Sequence, residues 1–84
     1  MAIPAQKKVQ FNLRNSLSTN SVVVLEPWGD EHTLKPYESI TLLAEGPSDG
    51  HLEIEMVPGR LLVYGWTGSV IEVLRKDPGS SVRP

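Results

Sequence analysis

The chain contains no cysteine in its 84 residues. That excludes a disulfide framework, thiolate-held zinc or iron–sulfur clusters, and a cysteine nucleophile. Stability must come from packing alone, and a reducing cytosol is the expected home. Long apolar runs are missing as well: the longest purely aliphatic one is Val22 to Leu25, so neither a membrane span nor the core of a signal peptide is expected. No sign of charge dominates. Eight basic and ten acidic residues leave a formal charge of −2, which disfavours a nucleic-acid partner whose affinity would come from neutralising many phosphates. Helical periodicity is absent too, since no window of about eleven residues carries an apolar stripe at 3.6-residue spacing.

What is present is punctuation and alternation. Seven glycines and seven prolines in so short a chain imply frequent turns and short strands. Val9, Phe11 and Leu13 alternate with Lys8, Gln10, Asn12 and Arg14. Leu52, Ile54 and Met56 alternate with His51, Glu53 and Glu55, and Ile40, Leu42 and Ala44 share one face of a third run. A period of two sends successive side chains to opposite faces of a sheet. The spacing predicts an all-β single domain over 8–76, a small antiparallel β-sandwich of six to seven short strands, with a small β-barrel as the alternative. A flexible arm is expected over 1–7 and a disordered tail over 77–84. His51 to Lys76 reads as a three-stranded meander, with a longer loop or bulge around Pro58-Gly59 and a tight turn at Thr67-Gly68 setting Tyr64 near Ile71. Glu45 to Gly50 reads as a loop. Such a domain has room for one core and buries roughly 60–65% of the unfolded chain's surface.

Chemistry is sparse. There is no Gly-x-Ser-x-Gly elbow, and Gly65-Trp66-Thr67-Gly68-Ser69 lies between two strand-like runs and not before a phosphate-holding helix. No cofactor is expected. His32 and His51, with Asp30, Glu53 and Glu55, are the residues able to ligate a divalent metal through imidazole and carboxylate. Same-face neighbours on one strand lie about 6.6 Å apart, so His51, Glu53 and Glu55 would need help from another strand. The regular alternation favours a solvated sheet face over a metal site. Of five aromatic residues, Trp28 and Tyr37 fall at turns, where large rings either plug the ends of a small core or mark a binding edge; Trp66 adds a third candidate.

The segments Leu25-Glu26-Pro27-Trp28-Gly29 and Leu34-Lys35-Pro36-Tyr37-Glu38 resemble a pattern of small bacterial all-β proteins of uncharacterised function. The resemblance implies a small sandwich and carries no residue roles. Where that pattern has glycine this chain has Tyr37, so a type I turn is expected there. The order of proline, acidic residue and strand is also similar to loops of immunoglobulin-like and cupredoxin-like sandwiches, but copper ligation in the latter needs a cysteine. Val22 to Leu25 and Leu61 to Val63 are apolar on both faces, and Val70 and Leu74 lie opposite Ile71 and Val73. A sandwich buries one face of each sheet. The leading reading is therefore a non-enzymatic binding or interaction module with a protein partner or self-association. A metal site at His32 and His51 is the alternative, and a small ligand at Trp28 and Tyr37 a third reading.

Overall fold

The described residues, 5–79 in this computed structural model, form seven strands and no helix. The strands are β1 (Gln6–Arg14), β2 (Ser21–Glu26), β3 (Asp30–Leu34), β4 (Ser39–Pro47), β5 (Glu53–Val57), β6 (Arg60–Tyr64) and β7 (Val70–Asp77). They form two sheets, one of order β1-β4-β7 and the other of order β3-β2-β6-β5. Every pairing is antiparallel except β2 with β6. No strand joins the two sheets among the described residues, so the fold is the expected sandwich and not the alternative closed barrel.

The core follows from which residues alternate inward. Ile40, Leu42 and Ala44 of β4 are completely buried, as are Val23 of β2 and Val63 of β6, with Leu25 and Leu34 nearly so. Phe11, Leu13, Leu52, Leu61, Ile71 and Val73 pack around them, partly buried. Phe11 is therefore peripheral, not central, because β1 is the edge of its sheet. Central strands fill the middle, and truncating Leu42 to alanine costs about 2–5 kcal/mol on the usual scale for emptied core sites.

The meander expected from His51 to Lys76 breaks after its second strand. β5 and β6 form a hairpin, but β7 crosses to the other sheet and pairs with β4. Both edges of β6 are already taken, one by β5 and the other by β2, and Gly65 N–H prolongs the β2 pairing to Glu26 O (3.0 Å). The Thr67-Gly68 turn forms, closed by Ser69 N–H to Trp66 O (2.9 Å), yet it redirects the chain and leaves Tyr64 and Ile71 in different sheets. Ser69 lands against Gly46, where a Cβ would sit 2.7 Å from the Ser69 Cα. That close approach needs glycine.

Three turns and two ends differ from the sequence reading. Pro58-Gly59 is a tight two-residue connection with Val57 opposite Arg60 and Gly59 at φ 76°, and no bulge. Val22 N–H donates to Gly59 O (3.1 Å), so a third strand holds a turn whose twist alone would splay the hairpin. In Lys35-Pro36-Tyr37-Glu38 the Glu38 N–H closes on Lys35 O (3.0 Å) and Tyr37 has φ 67°, the left-handed position of a type II turn and not a type I turn. Tyr37 N–H donates to Asn15 O (2.7 Å), which orients the peptide that way. Glu45, Gly46 and Pro47 belong to β4, not to a loop, because Gln6, Lys7 and Lys8 pair with them. Hence β1 begins inside the expected arm, and Asp77 still belongs to β7. The rest of that arm, over 1–4, and of the tail, over 80–84, lies outside the described residues.

Candidate functional site

A three-stranded sheet faces a four-stranded one, and the mismatch falls at β5. β7 lies over β3, since Lys76 Nζ donates to Thr33 O (2.9 Å). β1 lies near the end of β6, with Lys7 Nζ 5.4 Å from the Trp66 ring centroid. Order β7-β4-β1 above β3-β2-β6-β5 leaves β5 projecting past β1 with no strand above it among the described residues. The register assigns the consequence: Ile54 pairs with Val63 and Met56 with Leu61, so both point to the inner face, where a covered sandwich would bury them. Instead Ile54 is 42% exposed and Met56 82%. Leu52, at the start of the same face, is packed on the core. Cover thus fades along β5.

Where it fades most, the seam between the two edge strands opens into an apolar groove of about 220 Å³. Val23, Leu34 and Leu61 lie along it, with Leu17 on one rim and Met56 on the other. Leu17, itself 56% exposed, is held there by Asn15. That side chain is 4% exposed and donates from Nδ2 to Thr19 O (2.8 Å), Leu34 O (3.1 Å) and Lys35 O (3.1 Å), while Oδ1 accepts from Leu17 N–H (3.0 Å). A buried amide whose donors and acceptor are all engaged fixes a loop that has no strand to hold it.

The upper side of the seam is the free edge of β1. Ser48 N–H donates to Ala5 O (2.8 Å) at one end of the β1–β4 ladder and Asn15 N–H to Glu38 O (2.9 Å) at the other. Amides alternate sides in an antiparallel ladder, so odd-numbered residues of β1 bond to β4. Gln6, Lys8, Gln10, Asn12 and Arg14 therefore direct their N–H and C=O groups to the open side. Nothing pairs with them among the described residues.

The aromatic candidates divide. Trp28 and Trp66 border one shallow cleft with Tyr64, at the end of the sandwich where β2 and β6 finish. Trp28 is 45% exposed and rests on Gly65, where a Cβ would come within 3.1 Å of its ring. Trp66 lies against Gly50 and donates Nε1–H to Pro47 O (2.7 Å), so it closes the loop after β4. Tyr37 is at the other end of β3, beneath the Arg14 guanidinium at 5.7 Å. Trp28 and Tyr37 do not share a site. Tyr64 donates its hydroxyl to Glu55 Oε1 (3.0 Å); that bond, then burial, then the charges of Glu55, Glu26 and Glu53 hold its phenol above the ordinary value.

The metal reading fails on topology. His32 is on β3 and His51 leads into β5, the two opposite edges of the four-stranded sheet, three strand spacings or about 14 Å apart. Glu53 and Glu55 flank Tyr64 on β5 and cannot reach His32. No three histidine, aspartate or glutamate side chains gather as a metal site among the described residues. The basic residues near the two ends of the chain also stay apart, because β4 separates β1 from β7. Among the described residues no helix is long and apolar enough to cross a membrane. Set against protein-family models, curated proteins and solved structures, the chain matches none of them.

Proposed function

We propose that this chain is a non-enzymatic protein-interaction module that holds another polypeptide along the seam between β1 and β5. One observation carries the reading: Met56 is 82% exposed on the face its register assigns to the interior. An apolar face left open beside an unpaired strand edge is a standing invitation to another chain. The acidic and polar residues of β5, Glu53 and Glu55, lie on its opposite face and leave the seam apolar. The cleft at Trp28 and Trp66 mixes its rings with the polar Tyr64, Thr67 and Ser69 and offers a polypeptide less continuous apolar surface than the seam does.

The test is site-specific photocrosslinking of the full chain in cells, with the probe placed in turn at Met56, Leu17 and, as a reference on the outer face of the other sheet, Glu72. Adducts to a polypeptide should form from the two seam positions and not from Glu72. Equal yields at all three, or none from the seam, would overturn the reading.

A further inference from the structure

We infer that the polypeptide held in the seam is an extended strand that pairs with the open edge of β1, its side chains alternating between apolar and acidic. This rests on the interaction reading above and specifies the partner's form and chemistry. The even-numbered residues of β1 offer backbone donors and acceptors in an unbroken row from Gln6 to Arg14, with no proline or bulge to interrupt it. A guest strand there would stand about 4.8 Å from β1, making a fourth strand opposite the fourth strand of the other sheet, the two sheets about 10 Å apart.

Pairing then dictates the guest's pattern. Guest residues opposite Lys8, Gln10, Asn12 and Arg14 share their outer face, and the residues between them point down to Ile54 and Met56. The downward set must be apolar to cover those two side chains and to enter the groove beside Leu17. The outward set meets Lys8 and Arg14, the charged residues on that face of β1, where Glu45 of β4 already stands 4.0 Å from Lys8; a further acidic side chain beside either cation complements the edge. A second copy fits poorly. Set edge to edge the same way up, its own projecting β5 would collide with the first. Turned over, it would lay the polar outer face of β1 on Ile54 and Met56.

The probe is a capped peptide as long as β1, 9 residues, alternating valine or isoleucine with glutamate or aspartate, titrated into the full chain and followed by NMR. Amides of Gln6, Lys8, Gln10, Asn12 and Arg14 should gain protection from hydrogen exchange, and the Ile54 and Met56 methyl signals should shift. Met56→Asn, at an exposed position that leaves the fold intact, should weaken binding roughly tenfold. Lys8→Glu should weaken it about threefold, and N-methylation of alternate peptide bonds should abolish it. A lysine-for-glutamate peptide binding as tightly would overturn the acidic assignment. Peptide or crosslinked partner that shifts Met56 without protecting the even-numbered amides would overturn strand pairing while the interaction reading stands. Those amides protected in the free chain, together with a dimer in sedimentation, would identify a second copy as the occupant and overturn the inference.

Discussion

Replacing Asn15 with alanine is the substitution with the widest reach. The side chain makes four hydrogen bonds of 2.8–3.1 Å while 4% exposed, joining the loop after β1 to the end of β3. Alanine removes all four and the longer one from Ser21 Oγ (3.4 Å); with two N–H groups shared among three carbonyls, they amount to about three full bonds. Each such bond contributes about 1 kcal/mol net, and carbonyls left buried without a donor add to the loss, whereas the partly buried ones recover water. The sum is about 3 kcal/mol, a large share of the roughly 4–13 kcal/mol expected for a domain of this size. Urea unfolding should show the midpoint falling by roughly 2 M at unchanged slope, and the thermal midpoint falling by about 15 °C. Asn15→Asp should be no better, because it loses both donors and sets a carboxylate among carbonyls. A cost below about 0.5 kcal/mol, the range of ordinary surface changes, would refute the claim that this amide holds the loop. The same substitution frees Leu17 from the groove's rim, so seam binding should weaken along with stability.

Three further outcomes follow from the geometry. Gly46→Ala drives a Cβ to 2.7 Å from the Ser69 backbone and should cost about 1–3 kcal/mol in urea unfolding, as overpacking does. At Tyr37, with φ 67°, Tyr37→Val should cost about 1–2 kcal/mol and Tyr37→Gly distinctly less, since only glycine adopts that conformation freely. Tyr64 should ionise above its ordinary value near 10 because its neutral hydroxyl donates to Glu55. A folded value raised above the unfolded one means that this contribution is complete below pH 10 and is lost as pH rises through the folded value. Glu55→Ala should bring the phenolate absorbance transition back down.

Strand existence and facing were legible in the residues wherever alternation was regular: Ile40, Leu42 and Ala44 are completely buried, and β3 pairs back on β2 as its turn implies. Partner choice was not legible. Nothing local in Arg60 to Tyr64 says that β2 will occupy its second edge in parallel, and that single non-local pairing sends β7 to the other sheet. The turns at Tyr37 and Pro58-Gly59 depart from their local preferences for the same reason: Tyr37 N–H donates to Asn15 O just past β1, and Gly59 O accepts from Val22 N–H of β2. The seam was half visible. The apolar face of Leu52, Ile54 and Met56 is plain in the sequence, but its exposure depends on counting strands in the opposite sheet. In the sequence Asn15 is one polar residue among several between β1 and β2, and only the convergence of three carbonyls reveals its task.

Hydrogen exchange of the individual β1 amides in the free monomer tests the central claim most directly. An open edge requires alternation: Lys7, Val9, Phe11 and Leu13 protected by their bonds to β4, and Lys8, Gln10, Asn12 and Arg14 exchanging at rates close to those of unstructured peptide. Uniform protection along the strand in a monomer would mean that β1 is already covered, and would contradict both the missing fourth strand and the binding seam built on it.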